Sequence, residues 1–96
     1  MKFWQSVAFT ETEQLIEVVK VCEEVGFDGV MLSDHLLHFD ELQSRYPYSP
    51  DGKPPWGSTN TPWPDCWTGI GILAAVTKHI RFATNVYVLP LRNPIE

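Results

Sequence analysis

The spacing of apolar residues changes character from region to region of the chain. Residues 3–9, from Phe3 to Phe9, are rich in aromatic and β-compatible side chains and predict a first strand. Leu15, Val18, Val19, Cys22 and Val25 then recur at helical spacing as one apolar stripe, with Glu13, Glu17, Lys20 and Glu24 mostly elsewhere. Thr10-Glu11-Thr12-Glu13 fits a capping box for this helix, the Thr10 hydroxyl reaching forward and Glu13 reaching back. Gly26 predicts a left-handed C-cap, and Phe27 just beyond it is placed to pack back onto Cys22. Gly29-Val30-Met31-Leu32 is a short continuous apolar run, the pattern of a strand covered on both faces. The first third of the chain therefore reads as a βαβ unit.

From Leu36 to Asp65 the periodicity disappears. Pro47, Pro50, Pro54, Pro55, Pro62 and Pro64 fall here, together with Tyr46, Tyr48, Trp56 and Trp63. Structureless connections longer than about 12–15 residues are usually functional lids or disordered linkers. Disordered linkers are poor in aromatic residues, so this segment is expected to be ordered, packed by its own rings and lying over something. The prolines lower the entropy cost of holding it there. Asp65 then caps a second predicted helix with Trp67, Ile70, Leu73, Ala74 and Thr77 on one face, and Lys78 and His79 in its last turn suit the helix dipole. Ile80 to Leu89 predicts a third strand, ended by Pro90. The order β-α-β-loop-α-β with right-handed crossovers gives a parallel sheet.

Composition narrows the possibilities. The 96 residues suit one small domain, and 44% hydrophobic with 20% charged residues is ordinary for a globular protein. A net charge of -5, without a Lys/Arg cluster, argues against nucleic acid and against an anionic membrane as partners. No apolar run has the length of a membrane span, and Met1-Lys2-Phe3-Trp4-Gln5 runs straight into the strand pattern, which predicts no signal peptide. Cys22 and Cys66 read as reduced thiols of a cytoplasmic protein rather than a disulfide. Asn93-Pro94-Ile95-Glu96 resembles a helix start, with Asn93 as N-cap, so a chain stopping there is expected to be a fragment.

The candidate chemistry centres on Ser33-Asp34-His35, where the predicted second strand runs into the long loop. Ligands of parallel α/β folds bind at the carboxyl ends of the strands. A carboxylate beside an imidazole at such an end suits proton transfer or the holding of a cofactor; a strand cap that begins the loop would account for the same residues. Gly69-Ile70-Gly71-Ile72-Leu73-Ala74 matches a dinucleotide fingerprint on paper. It does not follow a strand, and no acid stands where the ribose would need one, so the glycines read as close helix-to-sheet contacts. Asp34, His35, His38 and Asp40 together suggest a metal site, and a metal-dependent barrel hydrolase would use His35, His38 and Asp40; His38-Phe39-Asp40 has the spacing of part of a two-His-one-carboxylate triad. His79, its distant third ligand, is expected at the opposite end of the sheet. Asn85-Val86 lies near the carboxyl end of the third strand, where a lone Asn is disfavoured and reads either as a bulge or as a polar group pointed into a pocket. Arg45 and Lys53 could meet an anionic cofactor tail or be solvated loop charges, and Tyr46-Pro47-Tyr48 with Trp56 could be the loop's own small core.

Taken together, these segments resemble the luciferase-like flavin and deazaflavin oxidoreductases, the bacterial luciferase-like monooxygenase superfamily. The resemblance covers essentially the whole chain. It rests on Gly26-Phe27-Asp28-Gly29-Val30, Ser33-Asp34-His35 and the loop from Ser44-Arg45-Tyr46-Pro47-Tyr48 to Ser49-Pro50-Asp51-Gly52. Trp63-Pro64-Asp65, Ala74-Ala75-Val76-Thr77 and Asn85-Val86-Tyr87-Val88-Leu89-Pro90-Leu91-Arg92 complete it, closest to the branch that depends on coenzyme F420. The fold this implies is α/β, the N-terminal part of a (β/α)8 TIM barrel of about 250 residues. Residues 1–96 would supply about three βα units with a long loop after the second strand, and would end after the third. The implied activity is that of an oxidoreductase or monooxygenase using FMN or coenzyme F420, for hydride transfer or oxygen activation on a small organic substrate. By position, Asp34 and His35 would lie beside the cofactor ring as catalytic and ring-contact residues, His35 moving a proton and Asp34 orienting it. Asn85 and Val86 would support the ring, at a place where relatives carry a bulge, sometimes with a non-proline cis peptide. The loop would gate the pocket. A homodimer is an assembly open to the full-length parent, whereas the isolated fragment is expected to be inactive. The competing readings are the metal-dependent hydrolase and a small non-enzymatic α/β binding module.

Overall fold

A computed structural model describes residues 1–56 and 60–95, so residues 57–59 of the loop and Glu96 of the expected helix start lie outside the described residues. Strands β1 (Trp4–Ser6), β2 (Gly29–Leu32) and β3 (Arg81–Thr84) alternate with helices α1 (Leu15–Glu24) and α2 (Cys66–Val76), and one turn of 3-10 helix follows at Leu89–Leu91. The protein is a small α/β unit whose sheet is parallel, in the order β1-β2-β3. Trp4 pairs with Gly29 and Ser6 with Met31, while Val30 pairs with Phe82 and Leu32 with Thr84.

Consecutive strand order and contact between α1 and α2 put both helices on one face of the sheet. A doubly wound sheet would instead reverse its order and place helices on both faces. The core forms between the sheet and these helices, from Val7, Val30 and Leu32 below, Leu15, Val19 and Cys22 of α1, and Cys66 and Leu73 of α2. Side chains alternate along a strand, so Trp4, Gly29 and Met31 fall on the face that neither helix covers. The expectation of a β2 covered on both faces is thus met on one side only. On the other, the Trp4 ring roofs Gly29 so closely that a Cβ there would lie 2.3 Å from the ring.

Local signals held best where a specific hydrogen bond enforces them. Gly26 is left-handed (φ 87°), its N–H reaches the Glu23 carbonyl, and Phe27 N–H reaches that of Cys22, which is a Schellman C-cap with Phe27 packed on the core. Asp65 caps α2 through its carboxylate, which accepts the Thr68 N–H at 2.8 Å. The capping box at Thr10 to Glu13 does not form. α1 starts later, at Leu15, and its N-cap Gln14 makes no side-chain cap, because residues 11–15 first make a turn closed by Gln14 N–H to Glu11 and Leu15 N–H to Thr12. Val25 lies beyond the helix and is exposed.

The strands are shorter than their patterns predict. β1 stops at Ser6, and the chain turns at Phe9, a non-glycine residue with φ 65°. β3 stops at Thr84, and the chain leaves the ladder after one more bond, from the Asn85 N–H; the Asn85-Val86 peptide is cis. α2 buries Cys66, Gly69 and Leu73, whereas Trp67 is 55% exposed and Ala74 is exposed as well. Gly69 is a close helix-to-sheet contact, with a Cβ that would sit 2.9 Å from Leu32, but Gly71 faces open space. Lys78 and His79 lie past the helix end, so they do not serve its dipole as predicted. Their backbone N–H groups, with that of Ile80, converge on the Glu23 carboxylate at 2.6–2.9 Å. Asn93 accepts the Ile95 N–H at 3.1 Å, and the described residues that follow it form a turn.

Candidate active site

Three stretches leave the carboxyl end of the sheet and meet there: Val7 to Thr10 after β1, Ser33 to His35 after β2, and Asn85 to Arg92 after β3. The long loop lies over them through its rings. Phe9 stacks on Trp56 at 5.9 Å and meets Trp63 edge-on at 5.2 Å. Trp63 donates its indole N–H to the Ser33 carbonyl at 3.3 Å, and Tyr46 meets Trp56 edge-on at 5.3 Å. Aromatic edge-to-face pairs add about 0.5–1.5 kcal/mol each beyond the area they bury, so the rings contribute to ordering a segment that has no ladder of its own. Within the loop, the turn at 46–52 is closed by Tyr46 N–H to the Gly52 carbonyl at 2.7 Å. Arg45 folds over Gly52, whose φ is 75°, and the Lys53 N–H bonds Asp51.

His35 stands in this aromatic frame, edge-on to Trp63 at 4.0 Å and tilted on Trp56 at 5.8 Å, with part of its ring open to solvent. Burial pushes its pKa below the ordinary histidine value, the nearby His38 adds to this, and the Asp34 charge opposes it. A neutral imidazole results, able to accept a proton on one nitrogen and donate from the other.

Asp34 turns the other way. Its side chain is 1% exposed, and its oxygens accept the Val88 N–H at 3.0 Å and the guanidinium of Arg92. Arg92 also lies 4.0 Å from Asp65 and over the Tyr87 ring at 5.3 Å. Among the described residues no hydrogen bond joins Asp34 to His35, so the expected orienting contact is replaced by a buried ion pair that fastens the segment after β3 to the end of β2. Sequence reasoning attached no role to Arg92. The signal available was a single Arg at the end of a β-prone run, with no indication of its partner.

Asn85 and Val86 reach the same edge. The Asn85 N–H donates to the Leu32 carbonyl at 2.8 Å, extending the β2–β3 ladder by one bond. Both residues are exposed, and the peptide bond between them is cis. Asp34, His35, Asn85 and Val86 are therefore brought together at the strand ends. His38 and Asp40 stay on the loop, and among the described residues no three His, Cys, Asp or Glu side chains gather as a metal-binding group.

Beside His35 opens a cavity of about 310 Å³, walled by Leu36, Leu37, Phe39 and Leu42 with Trp56 and Leu91, and carrying His35 and His38 as its polar groups. The apolar run after His35 was read only as part of a lid. Its four large apolar residues, exposed in a segment otherwise packed by rings, were the missed signal. Cys22 and Cys66 are free and buried, and burial raises both thiol pKa values, which marks them as packing residues rather than nucleophiles.

Residues 4–96 match the family model of the luciferase-like monooxygenases. The chain belongs to that family. Luciferase-like proteins are in general oxidoreductases or monooxygenases and commonly work with flavin or F420. Uncharacterised proteins of Mycobacterium bovis and Mycobacterium tuberculosis are each 31% identical to it over 94 residues, which is 98% of this chain and 32% of theirs. The chain thus spans about a third of the length of the curated relatives it matches. No solved structure matches it significantly. No helix among the described residues is long and apolar enough to cross a membrane.

Proposed function

We propose that this chain forms the first three βα units of a (β/α)8 barrel, and that the whole protein is an oxidoreductase or monooxygenase acting on a small organic molecule with FMN or coenzyme F420. The observation that carries this reading is the convergence of His35 with the exposed Asn85 and Val86 at the carboxyl edge of a singly wound parallel sheet. The donor set there fits a planar heterocycle. It offers a peptide edge and the Asn85 amide on one side, and an imidazole framed by the Trp56 and Trp63 rings on another.

When bound, the cofactor supplies the hydride or the activated oxygen. The residues of this chain do the rest. Asn85 and Val86 back the ring, and His35 donates or accepts the proton that accompanies the redox step. Asp34 acts through Arg92 and the Val88 N–H to hold the ring support in place. The loop from 36 to 65 gates access. Arg45 and Lys53 are the candidates on this chain to meet an anionic tail. Typical barrels bind phosphate after strands seven and eight, so the remainder of the tail's binding site is assigned to the rest of the protein. Its setting would be the cytoplasm, in keeping with two free thiols.

The test is a fluorescence titration of the protein expressed from its complete reading frame with FMN and with F420. Saturable binding of one in preference to the other is expected and names the branch. Binding of neither overturns the reading.

A further inference from the structure

We propose that Tyr87 is a positioning residue: its ring, held by Trp67 and Arg92, fixes Asn85 and Val86 at the sheet edge where they meet the cofactor. The inference deepens the reading above and rests on it for calling those two residues ring support. Asn85 and Val86 are themselves exposed, Val86 by 66%, so they do not hold their own place by packing. Backbone hydrogen bonds fasten the chain on either side of them. The Asn85 N–H donates to the Leu32 carbonyl at 2.8 Å, and the Val88 N–H to Asp34 at 3.0 Å. Between those two bonds, Tyr87 is the residue whose side chain packs against the core.

Trp67 and Arg92 meet that ring from two different elements. Trp67 lies edge-on to it at 5.4 Å, on the first turn of α2, which Asp65 caps. The turn at Leu89–Leu91 brings the chain back, so that the Arg92 guanidinium stands over the same ring at 5.3 Å while it pairs with Asp34. Asp65 lies 4.0 Å from Arg92, so the start of α2 meets this segment twice. Trp67 is 55% exposed, so its packing serves this contact more than the core. Edge-on and cation–π contacts of this kind are each worth roughly two- to tenfold in an equilibrium constant. Both are made by the ring of Tyr87, not by its hydroxyl.

The experiment is amide hydrogen exchange on the full-length protein without cofactor, followed by fluorescence titration with FMN and with F420. Wild type is compared with Tyr87→Ala, Tyr87→Phe and Trp67→Ala. In Tyr87→Ala the Asn85 and Val88 amides should exchange roughly tenfold faster, and the cofactor that wild type binds should bind roughly tenfold more weakly. Tyr87→Phe should stay within about twofold of wild type in both readouts, because the ring contacts remain. Trp67→Ala removes a largely exposed ring and should show a smaller change in the same direction. The Val19 amide of α1 should keep its rate throughout. Unchanged exchange at Asn85 and Val88 in Tyr87→Ala would overturn the inference, and so would an acceleration at Val19 as large as theirs. Wild-type cofactor binding that Tyr87→Ala leaves unaltered would sink this inference and leave the proposed function standing. Binding of neither cofactor by wild type would sink the proposed function, while faster exchange in Tyr87→Ala would still show that Tyr87 fixes the segment.

Discussion

At the amino end of the sheet, Glu23 gathers the N–H groups of Lys78, His79 and Ile80 and so ties the end of α1 to the entry of β3. At the carboxyl end, Asp34 gathers the Val88 N–H and Arg92 and ties the exit of β3 to that of β2. Both are single carboxylates closing a sheet end, but they work in different surroundings. Glu23 sits at the surface and binds backbone only, so its neighbourhood tolerates water. Asp34 is buried and pairs with a charge, so its geometry is dictated by one guanidinium beneath an aromatic lid. The amino end is built to be stable, whereas the carboxyl end is built to hold exposed groups, His35 and the Asn85-Val86 peptide, in fixed places. Changes at the two ends should therefore separate folding from function.

The largest expected effect belongs to function. His35→Ala in the full-length protein should lower turnover by roughly 100- to 10,000-fold, the usual worth of a positioned acid or base. Its unfolding midpoint should shift little, because the ring is partly exposed. The acid limb of the wild-type rate profile should lie below the ordinary histidine pKa, in the direction that burial and His38 push the group. Stopped-flow rates across pH, alongside chemical denaturation, check both. A variant as fast as wild type would remove His35 from the mechanism.

Arg92→Met comes next and blurs the division on purpose. Stranding Asp34 in its buried place should cost about 3–5 kcal/mol, as when one partner of a buried pair is removed. The same change frees the segment that carries Asn85 and Val86, so cofactor affinity should fall too. Asp34→Asn combined with Arg92→Met should be less destabilised than the two single losses added together, because the unpaired charge is gone. Denaturation of the four proteins of this cycle measures it, and strict additivity would mean that the pair is not coupled.

At the other end, Gly29→Ala should cost about 1–3 kcal/mol through overpacking against the Trp4 ring, since the new Cβ would fall 2.3 Å from it. Cofactor affinity should be unchanged in the protein that remains folded. Thermal unfolding with a parallel cofactor titration checks this. A loss of affinity at unchanged stability would show that the two ends are not independent.

How far the sequence revealed these regions follows the range of the interactions that shape them. Gly26 with Phe27, Asp65 with Thr68, and the run Gly29–Leu32 are local or self-contained, and their residues name the structure they make. The late start of α1 and the early ends of β1 and β3 were hidden, because in each place the chain leaves its pattern for a turn that the propensities of Thr10 or Val86-Tyr87-Val88 do not announce. At the candidate site, the placement of His35 and Asn85-Val86 at strand ends was legible as polar residues that interrupt apolar strand patterns. The role of Asp34 was not, since it depends on Arg92, 58 residues away in sequence. Nor was the apolar cavity, whose walls look like ordinary loop residues until the rings around them are folded.

The smallest effect should come from Glu23, and it is the cleanest test of the amino end. Hydrogen bonds from the His79, Ile80 and Lys78 N–H groups hold its pKa below the ordinary glutamate value, with a minor contribution from the His79 charge. A carboxylate whose folded pKa is depressed stabilises the fold above its unfolded pKa, and that contribution is lost as pH falls through the folded value. Glu23→Gln keeps the shape and one acceptor oxygen but removes the titration. The variant should thus be slightly less stable than wild type at neutral pH, and the gap should close on acidification past the glutamate range. His35 turnover and cofactor affinity should stay as they are, because nothing at this end touches the carboxyl edge. Urea denaturation at neutral pH and in acid measures the gap, and a gap of the same size at both would mean that the three N–H groups hold a shape and not a charge.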